Sequence, residues 1–193
     1  LNIKVIKGYK KEELDVTDDA WIITGSAHSV YDEFEWIEYL RSKLLEMKGS
    51  GNPVLGICFG HQLIADTFGG IVKLNSKGWE LGSCNINLTN EAKGCPLFST
   101  ISSPLVAYQS HQDIVDTLPD GSILLGKNDM GIQSFVYNNQ FYGVQFHPEF
   151  TKTVMDKYLE IRYDKGIIDT KPEVVESKYG SMILNNFIEK VIK

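Results

Sequence analysis

With 193 residues, 42% of them apolar, and a formal net charge of −6, the chain is long enough for one domain with a sizeable core. Its acidic balance and mixed-sign charges exclude a general nucleic-acid surface, which needs clustered Lys and Arg. No apolar run is long enough to cross a membrane and no signal peptide is recognised, while three cysteines, Cys58, Cys84 and Cys95, cannot all pair with one another; together these predict free thiols in a reducing, cytoplasmic setting.

In chain order, the sequence starts at Leu1 and is expected to enter a strand at once, Asn2–Ile6. Ala20–Thr24 is apolar and β-branched, and predicts a buried strand ending at Gly25-Ser26. Phe34, Ile37, Leu40, Leu44 and Met47 recur at helical spacing, and Gly49-Ser50-Gly51-Asn52-Pro53 stops that helix. Val54–Ile57 then reads as a second buried strand. A helix opens at His61-Gln62, runs to Phe68 and closes at Gly69-Gly70. From Ile71 to Gly143 the character changes to short strands separated by turn residues: Asn75 to Gly78, Asn90 to Gly94, Pro119-Asp120-Gly121 and Asn138-Asn139. These predict hairpins added to the edge of a parallel core. Phe141–Phe146 is one more strand, running straight into His147-Pro148-Glu149. The remainder is helical and polar on one face, closing with a helix over Ser181–Ile192. The expected organisation is a single α/β domain over 1–193, with 151–193 a C-terminal helical extension. Its mostly parallel sheet is flanked by helices in three layers, flavodoxin-like, with an added antiparallel edge.

Gly56-Ile57-Cys58-Phe59-Gly60 stands between a strand and a helix. A cysteine with glycine at both second neighbours is what a nucleophile elbow requires, because the tight turn brings other backbone close and leaves no room for Cβ atoms. The helix that follows aims free N–H groups and its positive dipole end at the sulfur, which favours the thiolate. By itself the motif is equally compatible with a small buried hydrophobe. A cysteine nucleophile needs a base and the base an orienter. His147 stands at a strand end, where α/β sheets place their sites. In an extended segment, residues i and i+2 share a side, so Glu149 is expected to reach one imidazole nitrogen while the other faces the thiol. His61 lies in a helix first turn that disfavours its protonation, and reads as a packing or hydrogen-bonding residue. His111 follows an apolar strand and lines the pocket or serves the fold. His28 belongs to a surface loop after a strand, of the kind that turns backbone N–H groups toward an oxyanion. The spacing of Cys58, His61, Cys84 and Cys95 matches no closed zinc site.

Gly56-Ile57-Cys58-Phe59-Gly60-His61-Gln62 and His147-Pro148-Glu149, in this order, resemble the class I (triad-type) glutamine amidotransferases. Thr24-Gly25-Ser26-Ala27-His28-Ser29-Val30 is similar to the oxyanion loop of that family. Gly78-Trp79-Glu80-Leu81-Gly82 and Ser110-His111-Gln112-Asp113 are similar to the subgroup that includes the amidotransferase domain of GMP synthase. The resemblance spans roughly Ala20 to Phe150. It implies a triad of Cys58, His147 and Glu149, and an oxyanion hole from the backbone N–H groups of Ser26 and Phe59. It also implies that Gly25, Gln62, Ser110 and His111 contact the substrate. The implied reaction is hydrolysis of the glutamine side-chain amide to glutamate and ammonia through a Cys58 thioester, with the ammonia passed to an acceptor on a separate synthetase. The same triad also serves a free-standing γ-glutamyl peptidase or hydrolase. Neither a cofactor nor a metal is implied, and the chain carries no phosphate-binding loop for ATP. Two departures stand out. The family usually has Gly-Gly-Pro where this chain has Gly25-Ser26-Ala27, and serine prefers a different backbone geometry from glycine. The family also opens with a strand–helix unit ahead of the strand at Asn2. That unit is not seen here, which predicts a sheet lacking one central strand.

Overall fold

The computed structural model describes residues 2–192. The regular elements are β1 (Trp21–Ile23), α1 (Glu35–Met47), β2 (Val54–Ile57), α2 (Phe59–Thr67), β3 (Ile71–Leu74), β4 (Glu80–Leu88), β5 (Leu105–His111), β6 (Asp113–Thr117), β7 (Ile123–Asn128), β8 (Gly131–Tyr137), β9 (Phe141–Val144), α3 (Lys152–Asp164) and α4 (Tyr179–Asn186). Seven strands form one sheet in the order β1-β2-β9-β8-β7-β4-β5, and β3 and β6 pair as a separate ribbon. β1, β2 and β9 run parallel, and every pairing beyond β9 is antiparallel. The expected α/β sheet with an antiparallel addition is present. Hairpins need only short turns, whereas the parallel strands need helical crossovers, and so the change in sequence character at Ile71 marks the change in sheet type.

The sheet alternates its apolar residues between two helical layers. Val54 and Phe141 pack with Ile37, Leu44 and Met47 of α1 and with Leu63 and Ile64 of α2. Their neighbours Leu55, Ile57, Tyr142 and Val144 point the other way, against Ile183 and Phe187. Strands buried on both faces read as unbroken apolar runs, and β2 and β9 are such strands. The closing helix begins at Tyr179, earlier than expected, and passes into a π-helical turn over Phe187–Val191. Ile183, Phe187 and Val191 thereby cover one face of the sheet.

The N-terminal expectations are corrected. Asn2–Ile6 is not a strand, and its Ile3 and Val5 are 78% and 83% exposed. Ala20–Thr24 contracts to β1, which is the sheet edge and not a buried strand, with Ile22 44% exposed. A β-branched run becomes a strand only where a neighbour offers backbone hydrogen bonds. β1 has β2 on one side, and no strand among the described residues on the other.

Candidate functional site

β2 ends at Ile57 and α2 begins at Phe59, so Cys58 alone makes the turn; the helix therefore opens two residues before the His61-Gln62 start expected from the sequence. The backbone of Cys58 has φ 51° and ψ −100°. Holding a residue other than glycine there costs on the order of 1–3 kcal/mol. The turn is pinned on both sides: Cys58 N–H donates to Val144 O at 2.9 Å, and Gln62 N–H to Cys58 O at 3.1 Å. The flanking glycines are steric necessities. A Cβ on Gly56 would lie 2.7 Å from His61 N, and one on Gly60 would lie 2.9 Å from Ile23 Cβ. Phe59 N–H, at the first position of α2, has no intrahelical acceptor and faces the turn.

His147 follows β9 and is 8% exposed. Its backbone N–H donates to Tyr108 O at 2.9 Å, fixing it to β5. Its Nδ1 lies 2.8 Å from Glu149 Oε1. The two side chains meet as expected, although through a turn closed by Phe150 N–H and His147 O at 3.3 Å, not through an extended segment. Nδ1 is thus engaged, and Nε2 is the ring nitrogen left to serve Cys58, whose proximity helps to raise the imidazole pKa. Burial pushes His147 toward its neutral form, but the hydrogen bonds and charges of Cys58 and Glu149 outweigh it and raise its pKa to about 9. The ring is therefore an imidazolium at neutral pH. Phe150 stacks on it with centroids 4.2 Å apart and an interplanar angle of 16°. Behind the turn, a Cβ on Gly180 would lie 3.1 Å from Pro148 Cα, so α4 buttresses the His147–Glu149 segment directly.

Gly25 faces both groups. A Cβ there would lie 3.0 Å from His147 Cε1 and 3.6 Å from Cys58 Cβ. Ser26 is exposed and its Oγ accepts from His28 N–H at 3.1 Å. Neither Gly25 nor Ser26 has a positive φ, so the serine in place of the usual glycine carries no left-handed strain.

Gln62 is 3% exposed and its side-chain amide donates to Asp113 O at 2.9 Å and Gln145 Oε1 at 3.1 Å. Both donors are engaged within the protein, which leaves Oε1 as the atom open to a ligand. His111 is buried between acceptors: Nδ1 is 3.0 Å from Asp113 O and Nε2 is 3.0 Å from Glu80 Oε2. The carboxylate of Asp113 holds Ser29 Oγ and, at 2.9 Å, Tyr31 Oη, both in the loop after β1. His61 is fully buried against Phe135, with its pKa lowered to about 3 by burial and then by the charge of His111. It is a neutral packing residue, as read from the sequence, and it does not act as a base. Cys84 is held above its ordinary pKa, at about 12, by burial and by Glu80, so it is not a second thiolate.

Three neighbours of the site went unread in the sequence. Glu80 is one: the motif Gly78–Gly82 contains it, but nothing in that motif shows its partner His111. Phe150, stacked on His147, is another. The third is Arg162, whose Nη2 donates to Ser110 Oγ at 2.8 Å. An arginine on a polar helix reads as surface unless the strand it reaches is known.

A thiol at a strained strand–helix turn, an imidazolium against it, a carboxylate on the far ring nitrogen and unpaired helix N–H groups are together the parts that nucleophilic acyl transfer needs. Among the described residues no helix is long and apolar enough to cross a membrane. The pattern of the family described as "Glutamine amidotransferase class-I" matches residues 2–163. The chain is 31% identical over 161 residues to γ-glutamyl peptidase 5 of Arabidopsis thaliana, covering 81% of this chain and 64% of that one. It is 33% identical over 174 residues to the glutamine-hydrolysing GMP synthase of Clostridium kluyveri, covering 89% of this chain and 31% of the relative. It therefore spans just under two thirds of the first relative and about a third of the second. A crystal structure of a glutamine amidotransferase from Methylobacillus flagellatus has the same fold, with a TM-score of 0.81 at 18% identity over 98% of this chain and 84% of that one.

Proposed function

Because the chain belongs to the class I glutamine amidotransferase family, we propose that it hydrolyses the side-chain amide of glutamine through a thioester on Cys58 and delivers the ammonia to an acceptor on a separate synthetase. The observation that carries this reading is the line Cys58–His147–Glu149, with Nδ1 of the imidazole 2.8 Å from the carboxylate and the ring protonated up to a pKa of about 9. The Cys58 thiolate attacks the amide carbon, and the carbonyl electrons move onto oxygen beside the N–H groups of Phe59 and Ser26. His147 gives its proton to the amide nitrogen, the C–N bond breaks, and ammonia leaves. The now neutral imidazole takes a proton from water, whose oxygen attacks the thioester. Collapse releases glutamate and returns the thiolate–imidazolium pair. Gly25, Gln62 and the Ser110–His111 segment surround the substrate in this reading. Three free cysteines support a reducing compartment, the cytoplasm.

A second reading, a free-standing γ-glutamyl peptidase, is favoured by the 31% identity to a plant γ-glutamyl peptidase over 81% of this chain. The two differ only in the leaving group. Purified protein given glutamine and a panel of γ-glutamyl peptides separates them: release from peptides well above glutamine supports the peptidase, and turnover of glutamine that rises with an added synthetase supports the amidotransferase. Inactivity on every γ-glutamyl compound would sink both.

In either reading His147 must carry a proton to the leaving group, so kcat/KM is expected to decline above about pH 9. Glu149→Gln removes one of the charges that raise the imidazole, and the alkaline limb is expected to move to lower pH with a loss of about 10- to 100-fold at neutral pH. A pH–rate profile checks this, and an unmoved limb would show that Glu149 does not set the protonation of His147.

A further inference from the structure

Phe150 ends the turn that carries His147 and Glu149. Thr151 follows it as the N-cap of α3, with Oγ1 accepting from Val154 N–H at 3.3 Å. An apolar residue just before a cap packs on the fourth helical residue and so fixes the angle at which the chain enters the helix. Here those two residues are Phe150 and Met155, which share one cluster with Tyr108, Leu159 and Val174. Tyr158 also packs on the Phe150 ring, with centroids 4.9 Å apart and an interplanar angle of 42°. The ring is thereby held from the α3 side, and it lies nearly parallel to the imidazole of His147, at 16° and 4.2 Å.

A phenyl ring carries negative charge on its faces and positive charge at its edge. A cation against the face is attracted, and more strongly where water is excluded. Nearly parallel rings at 4.2 Å put the imidazole against the face of Phe150 and not its edge. The neutral His61 meets its own phenylalanine, Phe135, differently, tilted by 54° at 5.0 Å. The charged and titratable groups that act on the His147 ring are Cys58 from the elbow and Glu149 from its own segment. The loop after β1 meets it through Gly25, β5 through the Tyr108 carbonyl, and the α3 side through Phe150 backed by the phenol of Tyr158. Arg162 of α3 feels the charge of Cys58 and is not among the groups that shift His147. Burial opposes the charge on the ring, so a neutral, unexposed face that favours it has an effect here.

We propose that Phe150 is a positioning residue whose ring face stabilises the charged imidazolium of His147 and keeps that ring turned between Glu149 and Cys58. This inference rests on the hydrolase reading above and adds the group that holds the proton destined for the leaving nitrogen. The charge on Cys58 disappears when its sulfur bonds to the substrate carbon. The phenyl face stays the same throughout the cycle. After the leaving group has taken the proton, the same face makes the neutral imidazole a better base toward water, because it favours the protonated product.

The test compares wild type with Phe150→Leu, Phe150→Tyr and a protein carrying pentafluorophenylalanine at position 150. The His147 ring protons are titrated by NMR, and the pH profile of kcat/KM is measured on glutamine and γ-glutamyl-p-nitroanilide. Leucine keeps the apolar contact with Met155 and removes the face. Pentafluorophenylalanine keeps the ring and its packing but reverses the charge on the face, which separates charge stabilisation from space filling. In both, His147 is expected to titrate about 0.5–1 pH unit below wild type, a three- to tenfold change in its protonation equilibrium. The alkaline limb of kcat/KM is expected to move with it, while the value at pH 7 stays within about twofold of wild type. Phe150→Tyr, which keeps the face, is expected to titrate as wild type does. A fluorinated protein in which His147 titrates as in wild type overturns the proposal, whatever leucine does. So does a tyrosine variant lowered as far as the leucine one. The titration needs no turnover: if wild type hydrolyses neither compound and fluorination still lowers the titration, the stack stands and the hydrolase reading fails. An active wild type whose titration and alkaline limb are unmoved by fluorination rejects the stack alone.

Discussion

Cys58→Ala is expected to reduce hydrolysis of every γ-glutamyl substrate to background, a loss of at least about 10³-fold. No other group can take over the attack. Cys95 is buried in the core with a raised pKa, and Cys84 is held at about 12. Cys58→Ser is expected to be nearly as inactive, because a hydroxyl is far less acidic and less nucleophilic than a thiol. Alanine keeps the Cβ and accepts the same backbone turn, so the variant should fold. The substitution also has a signature independent of turnover. Burial lowers the pKa of His147, and the hydrogen bond and charge of Cys58 are among the influences that raise it to about 9; without Cys58 the imidazole is expected to titrate at a lower pH, as read by its ring-proton NMR shift. Stability follows with the same sign. A raised imidazole pKa contributes stability fully below the unfolded value of 6.5, and that contribution is lost as pH rises through about 9. The urea midpoint of wild type should therefore fall across this window, and that of Cys58→Ala should fall less. Residual turnover above a tenth of wild type would remove Cys58 from the mechanism.

Glu80→Ala is expected to be the most destabilising single change near the site, by about 3–5 kcal/mol, or a Tm lower by on the order of 10 °C. Glu80 and His111 are each 3% exposed at the side chain and stand 3.0 Å apart. Glu80 also accepts from Asn128 at 2.5 Å and from Gln133 at 2.8 Å. Removing the carboxylate opens a void beside the buried His111 and Gln133 and takes an acceptor from Gln133 and from the half-buried Asn128. Burial pushes the Glu80 pKa up, but His111 and the two amides outweigh it and hold it below the usual 4.5. Its stability contribution is therefore present above about pH 4.5 and lost as pH falls through the lowered folded value, so acid should narrow the gap between wild type and variant. Denaturation curves at pH 7 and pH 4 check both parts. A loss under about 1 kcal/mol at pH 7 would mean the pair is a passive neighbour. Because His111 holds Asp113 O, and the Asp113 carboxylate holds Ser29 and Tyr31, a raised KM is expected alongside the lost stability.

The legible parts of this chain are those set by short-range chemistry. Gly56 is demanded by the backbone of Gly60 and His61 a few residues on, whereas Gly60 makes room for Ile23 of the distant β1; His147 and Glu149 are two residues apart, so one segment suffices to bring them together. The double-faced burial of Val54–Ile57 is written in its own composition. The hairpin turns are local as well: Asn138 and Asn139 both take positive φ, as their residue type permits.

What only the tertiary structure decided depends on partners far away in sequence. Asn2–Ile6 has the composition of a strand and is not one: among the described residues it pairs with no strand, and the outer edge of β1 stays open. Gln62 has the position of a substrate contact, yet its amide protons go to Asp113 and Gln145, 51 and 83 residues on. The sequence names no partner for Glu80 or Arg162; once β4 pairs with β5 and α3 crosses them, one is buried against His111 and the other is fixed above Ser110. A side chain's charge is specified by its residue type, but its burial, and with it the strength of every electrostatic interaction it makes, is set by what the rest of the fold lays over it.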